Sequence, residues 1–474
     1  LLALAFAIRA VDAGQPIVEN YVGRQVPTAM VARNLDRGSG FLRPQLDTGP
    51  FPSLFLVEPP VFASAALAVH RGFGVALEPA GRIVSALAVA LGAWGLYGLV
   101  RRREGPATAL LAAAALAIFP VTIRYGRAFQ PDALMLGTLL AGLRCWDDCE
   151  HDGGWPRLVL AWSLTAISLA VKVTSAYVLV PLVFAILRPR RPWKVGLVVA
   201  TLGPALLWYG HAWGELHAGL GSGASAENAA TWGRALASDA LIRPGTWVIV
   251  ARYLVVRAFT PVGFLLACWG LFGRPGADRL WRVWCGAACA ALAVLAGKLH
   301  HEYYWLALAP VAAVGVARAV APSGPARWVF FVAFAVLCAV QSISTWRTPP
   351  EWEPLGEAAD AIRRLVPREA LVVAPEAVLY AADRRGCRLE DGRASAERAA
   401  REWGGELASG GPLALVEFYA GRGARFVADV YDRSDDPRRR LHDAIRSHYR
   451  VLVDRPGVLL AELTERGGAS HAER

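Results

Sequence analysis

Apolar runs of about 17–22 residues, nearly free of charge, recur along this chain and are separated by short loops. Few folds accept that pattern, because each such run must satisfy its own backbone hydrogen bonds away from water, and a helix crossing a membrane does so. The chain has 474 residues, 55% of them hydrophobic, with mean hydropathy +0.35. Its net charge of +11 would suit a nucleic-acid binder, but much of the excess stands in short connections: Arg101-Arg102-Arg103, Arg188-Pro189-Arg190-Arg191 and Arg274 to Arg282. Lys and Arg in short loops hold those loops on the cytoplasmic side, so orientation accounts for the charge and no nucleic-acid partner is expected.

Fixing the arginine triplet inside orients the rest. A first apolar stretch ends near Val11 going outward; its shortness is expected from a trimmed start or missing residues, which leaves a signal peptide open. A polar loop, residues 12–58, follows on the outer side. Gly81 to Val100 descends to the triplet and Pro106 to Ile123 climbs back out. Parity then requires Pro59–Leu77 to begin and end outside, as an interfacial or re-entrant segment rather than a crossing. Further crossings are read at Pro131–Trp146, Trp155–Val171, Val173–Leu187, Val195–His211, Thr246–Phe272, Leu280–Ala296, Glu302–Val320 and Arg327–Ser344. The expected fold is a polytopic α-helical membrane protein with about 11 spans in residues 1–346.

Residues 347–474 differ in kind. Amphipathic stretches (Leu355–Leu365, Ala394–Trp403, Pro437–Ser447) alternate with short apolar runs at Ala370–Ala374, Leu413–Phe418, Arg425–Asp429, Tyr449–Val453 and Gly457–Leu463. Alternation of this kind predicts a small α/β domain, placed outside by parity; Glu376, Asp383, Cys387 and Tyr419 there are assigned to folding or acceptor docking. The seven cysteines show neither zinc-site nor disulfide spacing and read as small buried residues. Three lysines against forty-seven arginines, with abundant Ala and Gly, suggest a high-GC bacterial genome.

The same parity gathers the acids, bases and histidines at one outer rim: Glu19, Glu58, Asp132, Lys172, Lys298, His300 and His301. Glu19-Asn20-Tyr21, with Arg24 beyond, places a carboxylate where a lipid headgroup and a soluble acceptor can meet. Glu58-Pro59-Pro60 opens the interfacial segment. Arg124-Tyr125-Gly126-Arg127-Ala128-Phe129-Gln130-Pro131-Asp132 forms the next outer loop, Lys172 interrupts two apolar runs, and Lys298-Leu299-His300-His301-Glu302-Tyr303-Tyr304 stands at a further junction. Taken alone, Asp132 could serve only its helix N-terminus, and Tyr303 and Tyr304 could be plain interfacial anchors.

As an ordered set, acid loop, Pro-Pro segment, Arg…Asp loop, lysine junction, basic-aromatic junction and soluble tail, the chain resembles the GT-C membrane glycosyltransferases. The likeness is to the dolichyl-phosphate-mannose–protein mannosyltransferase-like group, which includes bacterial lipid A aminoarabinose transferases, and it spans roughly residues 1–345. In that family an Asp-Glu pair in the first outer loop supplies the catalytic carboxylate; here Glu19 and Asn20 stand in its place. Where family members often read Lys-Pro-Pro, this chain has Glu58-Pro59-Pro60. Asp132 matches the second-loop Asp and Arg127 the nearby Arg.

The resemblance implies inverting transfer of a hexosyl or pentosyl unit from a polyprenyl-phosphate donor to a glycan, lipid or protein hydroxyl, at the outer face of a bacterial inner membrane. Glu19 is the expected base, with Asp132 as its partner in catalysis. Arg24, Glu58, Arg127, Lys172, Lys298, His300, His301 and Tyr303 are expected to bind substrate and phosphate. Glu19, Glu58, Asp132 and His300 offer ligands for a divalent metal. A secondary transporter would instead place charges near the midplane and repeat internally. A lipid-carrier-binding protein without catalysis is the other alternative, separable by replacing Glu19.

Overall fold

The computed structural model describes residues 1–18, 22–187, 192–236, 239–322, 324–390, 393–407, 411–430 and 436–465. The chain divides into two compact units. One comprises Leu1–Gly14, Glu58–Gly214 and Asn228–Arg347; the other comprises Gln15–Val57, Glu215–Glu227 and Thr348–Arg474. The first polar loop thus joins the tail, a grouping that sequence order conceals.

The first unit is a helical bundle. Leu77–Glu104 (28 residues) is long and apolar enough to cross a membrane, as are Pro192–His217 and Trp328–Trp346; at 1.5 Å per residue the first measures about 42 Å. It packs closely on Asp132–Asp152 through small residues: a Cβ on Gly95 would lie 2.6 Å from the Leu140 carbonyl oxygen, and one on Gly137 2.2 Å from that of Ala88. Small residues let backbones approach where lipid gives helices no hydrophobic reason to associate. Val61–Phe73, the segment expected to lie at the interface, has 13 residues, about 20 Å, and buries one stripe, Phe62, Ala63, Ala66 and Leu67.

Pro106–Ile123 and Thr246–Phe272, each expected as a single crossing, are both broken at a proline. Pro106–Ile118 ends because Phe119 precedes Pro120, which forces it out of the helical region, and Pro120–Tyr125 restarts the helix. Carbonyls freed at that break are met by Arg9, whose wholly buried guanidinium donates to Ala117 O at 2.7 Å and Thr122 O at 2.9 Å. Thr246–Phe272, read above as one descending span, is instead two helices, Pro244–Ala258 and Pro261–Gly273, bent by 97°. Thr260, at φ 63°, turns the chain and caps the second helix by accepting from Gly263 N. A single straight run was the wrong inference because apolarity continues through the turn while Thr-Pro ends the helix.

Charge pairs sort the connections into two sets. Asp147, near the end of Asp132–Asp152, meets Arg102 and Arg103, Arg103 reaches Asp278 at 3.6 Å, Arg318 meets Glu104, and Lys194 meets Glu150 at 2.5 Å. At the other end of the same helix, Asp132 meets Lys172, and Arg127 donates to Val11 O, Asp12 O and Thr345 O. Loops that parity placed together are together in the bundle.

In the second unit, five strands, β1 (Leu371–Ala374), β2 (Gly386–Arg388), β3 (Ala424–Val430), β4 (Tyr449–Arg455) and β5 (Val458–Glu465), form one sheet in the order β2-β1-β3-β5-β4. β1 runs parallel to β2 and β3, while β5 is antiparallel to β3 and β4. Val373, Cys387, Val427, Leu459 and Ala461 from the strands meet Val416 and Ile445 from the helices in its core. Leu355–Leu365 buries Leu355, Ala358, Ala359 and Ile362, a helical stripe. The run Leu413–Phe418, expected as a strand, is mostly helix (Ala414–Ala420), since a short apolar run does not fix its own period. Cys145, Cys338 and Cys387 are buried as expected, but Cys289 is exposed.

Candidate active site

Asp132 stands at the first turn of its helix because Pro131 precedes it and favours a helix start. Its side chain is fully buried. The facing lysine is delivered by another interruption: Trp155–Val171 stops at Lys172, which is extended (φ −158°, ψ 102°), and a 3-10 turn, Val173–Val178, follows. Lys172 Nζ meets Asp132 Oδ1 and lies 3.9 Å from the centre of the Tyr303 ring and 5.6 Å from that of Tyr304. A buried ammonium between a carboxylate and two aromatic faces is held electrostatically from both sides.

These groups line a pocket with about 330 Å³ of empty space, open mouth included, whose walls also include Thr174, Ser175, Tyr177, Met135 and Leu292. Asp132 Oδ2 is buried there and accepts no hydrogen bond among the described residues. Buried carboxylate oxygens are rarely left so, and a hydroxyl entering the pocket would meet that need.

Behind Tyr303 lies a second cluster. Glu302, 3% exposed, pairs with Arg124 (Nε to Oε2, 2.9 Å) and with Arg257 on its other oxygen. Arg124 also donates to the Arg257 carbonyl. The Tyr125 ring packs edge-on against Tyr303, centroids 5.9 Å apart, joining the two clusters. Among the described residues, Lys172, Arg124 and Arg257 thus stand with two carboxylates, Asp132 and Glu302.

Among the residues expected to act, the structure brings together Asp132, Lys172 and Tyr303, with His301 stacked on Tyr303 at 5.5 Å and His300 against His301. Lys298 lies earlier on the same connection. Burial pushes the His301 imidazole down to about 4, and burial with the nearby Lys298 lowers His300; both rings are neutral near pH 7. Arg127 is wholly buried, with its terminal nitrogens on three backbone oxygens at 2.6–3.1 Å, the geometry of a clamp between chain segments. Glu58 is half-buried beside the Val61–Phe73 helix and does not line the pocket. Arg24 belongs to the other unit, its guanidinium 5.4 Å from the Phe55 ring centre. Glu19 lies outside the described residues, and no group of three His, Cys, Asp or Glu able to hold a metal occurs among the described residues.

Glu302, Arg124 and Arg257 are not picked out as site residues by sequence reasoning. A signal existed for Arg257, since an arginine within an apolar run demands a partner. Glu302 and Arg124 were masked by neighbours with louder motifs.

Residues 57–208 match the sequence family described as dolichyl-phosphate-mannose-protein mannosyltransferase. No curated protein matches the chain in sequence. In structure the chain is similar to ArnT from Cupriavidus metallidurans, solved bound to undecaprenyl phosphate (13% identity, TM-score 0.63) and in the apo state (12%, 0.64), in each case over 98% of this chain and 97% of that one. It is also similar to the Archaeoglobus fulgidus oligosaccharyltransferase in complex with Zn and sulfate (14% identity, TM-score 0.52), over 95% of this chain and 71% of that one. Over residues 57–208 the chain is similar in sequence to the dolichyl-phosphate-mannose-protein mannosyltransferase family, and over nearly its whole length its fold is similar to that of ArnT.

Proposed function

We propose that this protein transfers a sugar from a polyprenyl-phosphate carrier to an acceptor hydroxyl, with inversion, on the outer side of a bacterial inner membrane. The observation that carries the reading is the unfilled acceptor capacity, among the described residues, of Asp132 Oδ2 in a pocket lined also by the Lys172 ammonium and the Tyr303 and Tyr304 rings. An acceptor hydroxyl donates to Asp132 as its oxygen attacks the anomeric carbon. The bond from that carbon to the phosphate oxygen breaks on the opposite face, with its electron pair leaving on the phosphate. Lys172, Arg124 and Arg257 supply the cations that stabilise the departing phosphate. The proton passes to a carboxylate, Glu19 or Asp132. Arg127 holds chain segments in place, while His301 stands beside the pocket through its stacking on Tyr303, with His300 and Lys298 on the same connection. ArnT bound to undecaprenyl phosphate shares the fold, which supports a lipid-phosphate donor.

In this reading the arginine-triplet end of the bundle faces the cytoplasm and the pocket end faces outward, with the α/β domain outside. About eleven crossings remain, because Pro261–Gly273 alone makes the descent. Pro244–Ala258 joins Val61–Phe73 as a segment lying in the interface.

The test is sugar release or transfer from synthetic polyprenyl-phosphate sugars by the protein in nanodiscs, with Asp132→Asn and Glu19→Gln beside the wild type. Loss of turnover with carrier binding retained in either variant supports the reading and assigns the base. Carrier binding without turnover by the wild type, across donors and acceptors, would point to a carrier-binding protein instead.

A further inference from the structure

The first polar loop is long, and a loop of that length on a membrane protein is ordinarily free to move. Within the second unit it is not. Arg33 donates to Tyr380 O at 2.6 Å and to Asp47 at 2.5 Å, with its guanidinium 4.4 Å from the Tyr380 ring centre. Asn34 Nδ2 donates to Gln45 O and to Asp47 Oδ1, so the helix Val22–Asp36 is tied to the extended stretch that follows it. That stretch pairs with the free edge of β2: Gly386 N donates to Asp47 O at 2.9 Å, Gly49 N donates to Gly386 O at 3.2 Å, and Thr48 Oγ1 donates to Glu376. A Cβ on Gly386 would lie 2.2 Å from Val372 O, so the approach of β2 to β1 at the paired residue requires glycine.

A third segment completes the weave. Leu54 N donates to Leu220 O and Ser222 N to Leu54 O; Gly223 N then donates to Glu402, which also pairs with Arg388 at 3.4 Å. Arg398 reaches Glu227 at 3.1 Å. Three stretches far apart in sequence are held by one small domain, and the edge of its sheet is closed by the loop itself.

We propose that the C-terminal α/β domain is a splint for the first loop, positioning that loop for the reaction, with Arg33 and the Asp47–Gly49 pairing to β2 as its fastening. The inference rests on the glycosyl-transfer reading above. Arg33 is a positioning residue: it acts through the loop that carries Glu19 and touches no substrate. Fixing a reacting group in advance raises turnover without adding donor affinity, so damage to the splint should fall on kcat.

The experiment uses the full chain in nanodiscs, as wild type, Arg33→Ala, Arg33→Lys, Thr48→Val and the double variant Arg33→Ala/Thr48→Val. Amide hydrogen exchange over residues 45–56 is read beside transfer kinetics with a synthetic polyprenyl-phosphate sugar. We expect faster exchange in Arg33→Ala, a fall in kcat of roughly tenfold or more with donor KM little changed, and partial recovery in Arg33→Lys. Unchanged exchange in the double variant would overturn the fastening, and faster exchange with unchanged kcat would overturn its role in the reaction. A wild type that protects residues 45–56 yet turns over no donor would remove the transfer reading itself, and with it any reaction for the splint to serve.

Discussion

Asp132 and Asp147 are buried carboxylates on one helix, four turns apart, and the protein treats them differently. Asp147 has both oxygens engaged by Arg102 and Arg103, and Arg102 continues to Asp148 at 2.8 Å. Asp132 has one oxygen on Lys172 and the other unmet, beside a pocket. A carboxylate fully met by guanidinium groups has nothing left to offer a substrate; it fixes where the loops go. A carboxylate half met, with an adjacent opening, keeps an acceptor for a ligand. Both aspartates look alike in a hydropathy plot. Only their partners separate a structural acid from a chemical one.

Exchanging the two residues' neutral analogues is the sharpest way to break that contrast. Asp132→Asn should lower turnover about 10²–10⁴-fold and, by leaving the buried Lys172 ammonium without its carboxylate, should also lower stability. Asp147→Asn should lower stability alone, by about 2–4 kcal/mol, reduced from the fully buried case because Arg102 is partly exposed, with turnover per folded molecule retained. Parallel measurement of donor turnover and thermal aggregation in nanodiscs checks both, and an equal loss of turnover per folded molecule would erase the distinction. Lys172→Met comes next. It strips the pocket of one cation and leaves Asp132 without its ion-pair partner, so kcat/KM for the donor should fall about 10–100-fold. Lys172→Arg should restore only part, because a planar fork does not replace a point charge between two rings.

How far the sequence carried the reading depended on which force set each feature. Apolar length and arginine sidedness are written locally, so the bundle and the grouping of its loops were legible; the paired charges at Arg103–Asp147 and Asp132–Lys172 lie where parity placed those loops. Breaks set by one dipeptide against a continuing apolar background, as at Thr260-Pro261, were not. Asp132, Lys172 and Tyr303 could be singled out because each stands at the end of a run. Glu302 and Arg257 could not, since their meaning comes from each other and they lie forty-five residues apart. The placing of Gln15–Val57 with the tail left no mark in composition, being written in backbone pairing at Gly386 and in side chains such as Arg33.

A third buried carboxylate extends the comparison into the α/β domain. Glu376 is held up to about 7, first by burial; Arg388 and the Thr48 hydroxyl pull it down while Glu390 and Glu402 push it up. Its folded value lies above the ordinary 4.5, so between about pH 4.5 and 7 the folded domain holds the extra proton. Stability then falls as pH rises through that window and levels off above it, by about 3 kcal/mol at most. Glu376→Gln should flatten that slope, measured as unfolding temperature against pH. A slope that survives the substitution would move the titration to another group.

The smallest effect belongs to the fully met end of the bundle. Arg102 is about one-third exposed and shares Asp147 with Arg103, so Arg102→Ala removes a screened, redundant pair and should cost no more than about 1 kcal/mol. Arg103, at 9% exposure and with a second acid at Asp278, should cost more when changed the same way. The ordering is the informative result. If Arg102→Ala proved as costly as Arg103→Ala, the network at Asp147 would be cooperative rather than redundant, and the triplet would act as one structural unit. If neither mattered, the triplet's main work would be orientation during insertion, and a topology reporter on the tail of a triple Ala variant would register what stability measurements do not.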